Sequence, residues 1–203
     1  MGKIKIGIFG GSFSPPHMGH IKAAKAFVTS MNLDKLLIIP ALMPPHKELN
    51  KEASVIDRLK MCEIAFSDVK NAEISSMEID RGGKSYTYLT LQQLKNDDNE
   101  LYMLVGTDML LTLDEWKNPE VIFSLAKVCY IRREKDELTE ADIISKIKKY
   151  KENYSAEIIA IPADAFEISS TELRNKIISG EDISSLMDER VVKYIFERGL
   201  YSC

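Results

Sequence analysis

The sequence has few of the features that mark secreted, membrane or nucleic-acid-binding proteins. Its three cysteines, Cys62, Cys129 and Cys203, form no CxxC pair and no metal-ligand spacing, which is typical of reduced thiols in a cytoplasmic protein. No apolar stretch approaches the length of a membrane span, and a strand pattern begins at once, so we expect neither membrane association nor a signal peptide. The net charge of −4 argues against broad attraction to nucleic acids.

The composition that remains is that of an ordinary globular protein. Hydrophobic residues make up 45% and charged residues 29% of 203 residues, which is enough for one domain, 1–203, with a sizeable core. We find no internal repeat and no low-complexity linker. No heptad pattern or long apolar patch specifies a partner, so the sequence leaves the oligomeric state, including a homo-oligomer, open.

Short apolar runs alternate with helix-like segments along the chain. The clearest runs, 4–9, 36–39, 101–105, 128–131 and 158–161, are apolar almost throughout, which favours strands buried on both faces of a parallel sheet. A further strand is predicted over 73–79, and helices over 54–67, 86–94, 121–126, 170–180 and 189–198. The pattern predicts a doubly wound, mostly parallel Rossmann-like α/β sheet, with helices on both faces and a helical C-terminal end.

The segment 132–154 is the most charged part of the sequence. Lys146, Lys148, Lys149 and Lys151 lie close together within it. We interpret this run as the solvated face of a helix.

The most informative segment is the loop 10–20, with the sequence GGSFSPPHMGH, between the first strand and the first helix. Glycines allow backbone N–H groups to approach phosphate oxygens, and the start of the following helix is a favourable site for an anion. His17 and His20 are three residues apart, so on the first helical turn they share a face and could contact one phosphate group. The loop therefore predicts a phosphate-binding site.

This loop resembles the GxFxPxHxGH signature of the nucleotidyltransferase superfamily. Four further segments resemble bacterial nicotinate-nucleotide adenylyltransferases in particular, in the same order and over nearly the whole chain. They are the PxxxPPHK pattern at 40–47, the G-[AT]-D…W pattern at 106–108 with Trp116, the ISSTxIR pattern at 168–174, and the closing hGLY at 198–201. The chain is identified on these residues as a member of that family.

The resemblance implies an enzyme of NAD biosynthesis. It would transfer AMP from ATP to nicotinate mononucleotide, giving nicotinate adenine dinucleotide and pyrophosphate, by direct attack of the mononucleotide phosphate on the ATP α-phosphorus. ATP implies Mg²⁺ as the cofactor, although the sequence offers no dedicated carboxylate ligands for a metal. The expected partners are ATP and nicotinate mononucleotide, without nucleic acid or membrane, in the cytoplasm.

The resemblance also assigns roles to individual residues. His17 and His20 would be catalytic, with His20 facing the charge that develops in the transition state. ATP and its phosphates would be bound by Gly10, Gly11, Ser12, Phe13, Gly19, His46, Lys47, Gly106, Asp108, Ser169, Ser170, Thr171 and Arg174. The mononucleotide would be bound by Ser85, Tyr86, Thr87, Trp116 and Arg133, with Trp116 stacked on the pyridine ring.

Three positions depart from the family pattern. Ser14 replaces the common Asp or Asn, Lys117 stands beside the tryptophan, and Glu134 follows Arg133 in place of Pro-Gly. Their consequences are open, as is the strictness of a preference for the acid over the amide. Alternatives are an adenylyltransferase for nicotinamide mononucleotide or phosphopantetheine, and a non-catalytic nucleotide sensor. A synthetase fragment with an HxGH loop is disfavoured, because the chain lacks a Lys-rich signature loop.

Overall fold

The computed structural model describes residues 2–45, 53–132, 137–163 and 168–201. Within these ranges the chain forms a six-stranded sheet in the order β3-β2-β1-β4-β5-β6, and every neighbouring pair is parallel. The strands are β1 (Ile4–Gly11), β2 (Lys35–Pro40), β3 (Ala72–Ile74), β4 (Asn99–Gly106), β5 (Ala126–Ile131) and β6 (Ile158–Ile161). The predicted doubly wound, parallel Rossmann-like fold is confirmed.

Helices connect the strands and cover both faces of the sheet. They are α1 (Met18–Met31), α2 (Val55–Ala65), α3 (Met77–Arg81), α4 (Thr87–Leu94), α5 (Thr107–Leu111), α6 (Pro119–Leu125), α7 (Glu137–Tyr154), α8 (Ser170–Ser179) and α9 (Glu189–Arg198), with a 3₁₀ turn at Leu113–Glu115. In the described part of the chain, no helix combines the length and the apolar character needed to cross a membrane.

The core lies in two layers, one on each face of the sheet. Along β2, Leu36 and Ile38 pack into one layer, whereas Leu37 and Ile39 pack into the other. All four side chains are buried, which is why the strand is apolar throughout instead of alternating with polar residues.

The predicted strand over 73–79 is wrong beyond Ile74. The chain leaves the sheet there and forms α3. Glu78 and Asp80 lie in the first turn of this helix, where acidic side chains are favoured by the helix dipole, and Glu78 turns inward. The alternation of apolar and polar residues in this segment therefore comes from a short helix with one buried carboxylate and not from a strand.

The order of the strands reverses direction between β1 and β4. From β1 the chain proceeds outward to β2 and β3, then returns to β4 beside β1 and continues to β5 and β6. In open α/β sheets, ligands bind beyond the carboxyl ends of the strands at such a reversal. The loop 10–20 after β1 and the segment 107–117 after β4 both begin at this point.

Candidate active site

The two histidines of the loop lie together at the start of α1. His17 is the N-cap residue, and its backbone N–H donates to Nδ1 of His20 at 3.2 Å. The two ring centroids are 3.7 Å apart with an angle of 30° between the ring planes. The predicted placement of His17 and His20 on one face of the first turn is therefore confirmed. The hydrogen bond fixes the direction of the His20 ring, with Nδ1 as an acceptor and Nε2 at the other side of the ring.

A buried arginine contacts this loop from the core side. Arg58 of α2 is 2% exposed, and its Nη1 donates to the carbonyl oxygen of Ser12 at 2.9 Å. Burial lowers the pKa of the Arg58 guanidinium, which nevertheless remains charged at neutral pH. Because a trans peptide places C=O and the next N–H on opposite sides, this bond turns the Phe13 N–H away from Arg58.

Side chains from the first turns of α8 also contact the loop, by donating hydrogen bonds to the backbone carbonyl oxygens of the loop. Arg174 Nη1 donates to the carbonyl of Ser14 at 2.8 Å, and Ser170 Oγ donates to the carbonyl of Pro15 at 3.0 Å. Arg174 Nη2 donates in addition to Thr171 Oγ1 at 3.1 Å. These predicted phosphate ligands are therefore next to the loop, and they orient its backbone in this structure.

The helix α8 begins as the sequence predicts. Ser169 is its N-cap, and Ser169 Oγ accepts a hydrogen bond from the Glu172 N–H at 3.1 Å. A helix start of this kind favours anions, because its remaining first-turn N–H groups have no intrahelical acceptor. Capping and phosphate binding are thus compatible at this site.

The serine at position 14 has a structural explanation. Ser14 is buried, and its hydroxyl lies 3.1 Å from the hydroxyl of Tyr201, which is also buried. Burial raises the pKa of Tyr201 to about 12. A neutral hydroxyl forms this pair without the desolvation cost that an ionised Asp would bring to the same place.

The larger of two cavities beside the loop has a volume of about 410 Å³. It brings together residues from the predicted phosphate-binding set and from the predicted mononucleotide-binding set. Those lining it are Gly10, Gly11, Ser12, Asp108, Ser85, Tyr86, Thr87 and Trp116, and Lys117 lies beside them. Most of the remaining lining is apolar, as expected for a site that holds a planar ring.

A smaller cavity of about 30 Å³ lies on the histidine side of β4. It contains predicted residues His17, Gly19, His20 and Gly106, together with the cationic side chains Lys22 and Arg132. Leu104 and Val105 of β4 line both cavities, so both cavities lie at the carboxyl end of this strand. Lys22 and Arg132 were not predicted as site residues, although both are cations within or directly beside the motifs of the sequence.

Phe13 contributes to the site through its backbone only. Its side chain is 1% exposed and packs edge-on against Phe9, His20 and Phe66, with ring centroids 5.1–5.6 Å apart. The φ angle of Phe13 is +46°, an unusual value for a residue other than glycine. The buried ring therefore holds the backbone of the loop in a conformation that it would otherwise rarely adopt.

Two of the predicted residues at the start of α4, Ser85 and Thr87, have different roles: one links segments of the chain and the other faces the cavity. Ser85 Oγ accepts from the N–H groups of Leu42 and Met43, at 2.9 and 3.3 Å, so this hydroxyl joins α4 to the segment after β2. The Ser85 N–H donates to the Met43 carbonyl. Thr87 begins the helix, where its N–H has no intrahelical acceptor, and it faces the cavity.

A buried polar triad beneath α4 was not predicted from the sequence. Glu78 lines the larger cavity, and its Oε1 accepts from Thr90 Oγ1 at 2.7 Å. Arg81 donates to the same hydroxyl at 3.2 Å, and its Nη2 lies 3.9 Å from the Glu78 carboxylate. A strand over 73–79 does not bring Glu78 and Arg81 together, whereas in the structure these two residues are three positions apart on helix α3.

Several predicted residues cannot be placed. His46, Lys47, Arg133 and Glu134 lie outside the described residues. Within the described ranges, no group of three or more His, Cys, Asp or Glu side chains could hold a metal ion.

Comparisons with known proteins agree with this geometry. A model of the cytidylyltransferase-like family matches residues 8–176. A probable nicotinate-nucleotide adenylyltransferase of Fusobacterium nucleatum is 40% identical over 195 residues, covering 95% of this chain and 97% of that protein. A protein of the same description from Clostridium botulinum is 36% identical over 197 residues, covering 97% and 98% of the two chains.

Solved structures show the same fold. Nicotinic acid mononucleotide adenylyltransferase of Plasmodium falciparum, complexed with NaAD, superposes with a TM-score of 0.77 at 21% identity, covering 98% of this chain and 97% of that one. A structure from Vibrio parahaemolyticus, described as a nicotinate-nucleotide adenylyltransferase, gives a TM-score of 0.66 at 20% identity, with 98% and 95% coverage. On the family model and the full-length relatives, the chain belongs to the nicotinate-nucleotide adenylyltransferases, nucleotidyltransferase enzymes of NAD biosynthesis.

Proposed function

We propose that the two substrates of this family's reaction bind on either side of the carboxyl end of β4. ATP lies on the histidine side of β4, and nicotinate mononucleotide lies in the larger cavity with its phosphate toward Gly10–Ser12. The mononucleotide phosphate attacks the ATP α-phosphorus, a bond from one of its oxygens to that phosphorus forms, and the bond to pyrophosphate breaks. The products are nicotinate adenine dinucleotide and pyrophosphate. The observation that supports this arrangement best is that the same two residues of β4, Leu104 and Val105, line both cavities.

Catalysis in this reaction is mainly positioning and charge stabilisation. The nucleophile is already an anion, so no general base is needed to remove a proton from it. His20 is oriented by the His17 N–H, and its Nε2 would donate to the α-phosphate oxygen on which charge develops. The N–H of Phe13, directed away from Arg58, would add a second donor.

The leaving pyrophosphate requires positive charge. Lys22 and Arg132 line the cavity on this side, and the N-terminal turn of α8 lies against the loop through Ser170 and Arg174. When ATP binds, Arg174 can exchange its bond to Thr171 for one to a phosphate oxygen. His46 and Lys47, by the family pattern, would close around the same phosphates.

The mononucleotide is recognised by its ring and its carboxylate. Trp116 would stack on the pyridine ring, and the N–H of Thr87 would donate to the carboxylate at the helix start. Arg133 is assigned to the same substrate by the family pattern. Ser85 has a structural role in this pocket, because its hydroxyl accepts hydrogen bonds from the N–H groups of Leu42 and Met43.

Mg²⁺ would enter the site on the phosphates of ATP. Asp108 lies in the first turn of α5, directly after β4, and lines the larger cavity, where it would face the ribose or a water molecule of the ion. The described residues hold no dedicated cluster of metal ligands. The ion would supply charge neutralisation, and the residues of the chain position the two substrates.

We place the reaction in the cytoplasm. Cys62 and Cys129 are buried thiols, and burial raises the pKa of Cys129 to about 12, so both stay protonated and unreactive. Thiols that are never paired are typical of a reducing compartment. That residues 1–203 form a single domain stays a prediction, as does the formation of a homo-oligomer.

The function is tested by measuring pyrophosphate release from ATP with a panel of mononucleotides. We expect kcat/KM for nicotinate mononucleotide to exceed that for nicotinamide mononucleotide by at least about tenfold, because the amide cannot use a charge-assisted bond from Thr87. Comparable values for the acid and the amide would contradict the assigned acceptor. Turnover of phosphopantetheine instead would contradict the mononucleotide assignment altogether.

The catalytic assignment is tested by His20→Ala with Lys25→Ala as its control. Both residues lie on α1, but Lys25 is exposed and outside both cavities. Removal of one donor to a developing charge lowers kcat by roughly 10²–10³ in other enzymes, and we expect a loss of that order for His20→Ala only. A folded His20→Ala variant with kcat within about threefold of the parent would refute the role.

A further inference from the structure

The segment 107–117 forms one wall of the larger cavity and has two distinct faces. We call it the Trp116 wall. Its cavity side consists of Asp108, Met109, Thr112, Glu115, Trp116 and Lys117. On the opposite side, Leu110 and Leu113 are fully buried. The wall consists of a five-residue helix and a three-residue 3₁₀ turn, and helices this short have little stability of their own. Its position must therefore be fixed by contacts on the far side.

The main polar contact on that side is a carboxylate held by helix α7. Asp114 accepts from Lys146 Nζ at 2.8 Å, from Lys149 Nζ at 2.6 Å and from Tyr150 OH at 3.0 Å. We call these four residues the Asp114 anchor. The Asp114 side chain is 10% exposed, whereas the neighbouring Lys148 is 75% exposed. The interpretation of the lysine run as a solvated face thus holds for Lys148 and is wrong for Lys146.

Tyr150 extends the anchor along the wall. Its one hydroxyl proton is shared between the carbonyl of Leu110, at 2.7 Å, and the Asp114 carboxylate, and the hydroxyl oxygen accepts from the Asp114 N–H at 3.4 Å. The Tyr150 ring is fully buried and packs against Phe123, with centroids 4.9 Å apart, so the hydroxyl has a fixed position. One hydroxyl therefore holds the wall at two points, two residues after Asp108 and two residues before Trp116.

The Asp114 carboxylate of the anchor faces two lysine cations. Burial alone would raise the pKa of Asp114, but the hydrogen bonds from the two lysines and Tyr150 together hold it well below its ordinary value. The carboxylate is thus ionised at neutral pH and makes charge-assisted bonds, which are the stronger kind. Nothing in the anchor lines either cavity, so it can affect a substrate only through the position of the wall.

We propose that Asp114 is a positioning residue for the mononucleotide subsite: by bonding to α7 it holds Trp116 where the pyridine ring stacks. This inference rests on the proposed function, since it assigns the acceptor to the larger cavity. When the anchor is lost, the end of the wall beside Asp114 moves and Trp116 leaves its stacking position, whereas Asp108 stays in the first turn of α5, next to β4. ATP is affected less, because its phosphates lie on the other side of β4.

The experiment is Asp114→Ala, with Lys148→Ala on α7 as the control, since Lys148 is a neighbour of the anchor lysines that does not contact Asp114. Trp116 is the only tryptophan of the chain, so its intrinsic fluorescence reports the position of the wall directly. We expect Asp114→Ala to increase acrylamide quenching of Trp116 and to raise KM for nicotinate mononucleotide roughly three- to tenfold. KM for ATP should change by less than about twofold. Lys148→Ala should leave all three quantities at the parent values.

Tyr150→Phe provides a second, independent variant if Asp114→Ala does not fold. It removes only the hydroxyl and keeps the ring against Phe123, and we expect the same selective rise in KM. Equal changes in KM for both substrates, or quenching identical to that of the parent, would overturn the positioning role. Quenching that increases in a chain without adenylyltransferase activity would instead contradict the proposed function and leave the anchor in place.

Discussion

The bond between Arg58 and Ser12 leads to a specific expectation for the variant Arg58→Met. Methionine keeps the apolar contacts of the aliphatic part of the side chain, but it is shorter and cannot donate to the Ser12 carbonyl that Arg58 Nη1 contacts at 2.9 Å. A hydrogen bond to a charged group contributes about 1.5–3 kcal/mol net. Removing a buried guanidinium also removes its desolvation cost, so we expect the free energy of unfolding to fall by only about 1–2 kcal/mol.

The effect on catalysis should be larger than the effect on stability. Without its partner the Ser12 carbonyl can rotate toward solvent, and the Phe13 N–H then rotates with it, because the two groups share one planar peptide. A displacement of about 1 Å at a reacting centre can lower the rate by roughly 10²-fold. We therefore expect kcat for Arg58→Met to fall by about 10²-fold, and Arg58→Lys to be intermediate, since lysine keeps the charge but lacks the planar fork.

Lys60→Met is the control, since Lys60 lies on the same helix but is 54% exposed and pairs only with Glu63 among its described contacts. Stability is measured by urea denaturation and activity by pyrophosphate release. Lys60→Met should match the parent in both. If folded Arg58→Met turned over within about threefold of the parent, the inference that Arg58 aims the loop would be refuted, and Arg58 would be left with a packing role.

Two further predictions follow from the same structure. A Cβ on Gly11 would lie 2.9 Å from the buried ring of Phe13, whereas a Cβ on Gly10 meets nothing nearer than 4.0 Å. We therefore expect Gly11→Ala to lower the free energy of unfolding by about 1–3 kcal/mol and Gly10→Ala to change it by less than about 1 kcal/mol. Equal effects of the two substitutions in thermal unfolding would contradict the clash. The pKa of Asp114 is depressed in the folded chain, so its stabilisation is fully present above the unfolded value of about 4 and is lost as the pH falls from there through the lower value of the folded state. Asp114→Asn should thus be about 1–3 kcal/mol less stable than the parent at pH 7, and this difference should become smaller below about pH 4 in urea titrations; a difference that stays constant from pH 7 down to about pH 2 would show that the charge contributes nothing.

Much of the fold follows from local patterns in the sequence. The near-continuous apolar runs predict β1, β2, β4, β5 and β6, because a strand that is buried on both faces needs no polar alternation. The predicted starts of α2 near Ser54 and of α8 near Ser170 are confirmed, since both depend on a capping hydroxyl within three residues. The strand predicted over 73–79 is wrong beyond Ile74, because a five-residue helix with one buried carboxylate is too short to show its period.

Some contacts of the candidate site could likewise be predicted from the sequence, and others could not. The pairing of His17 with His20 is a matter of helical spacing, so it could be predicted from positions in the sequence alone. The bond from Arg58 to Ser12 joins residues 46 positions apart, and that from Arg174 to Ser14 joins residues 160 positions apart. No local pattern contains such contacts.

By itself, the sequence determined the class of the fold, the histidine loop as the candidate site and the family, because each of these depends on residues that are close together or on motifs in a fixed order. Only the tertiary structure decided that side chains from α2 and α8 hold the loop by its carbonyl oxygens, that Leu104 and Val105 line both cavities, and that Asp114 of the wall bearing Trp116 bonds to α7. The physical reason is that hydrogen bonds and cavities depend on distances of a few ångströms between segments, and those distances exist only after the sheet has brought the segments together.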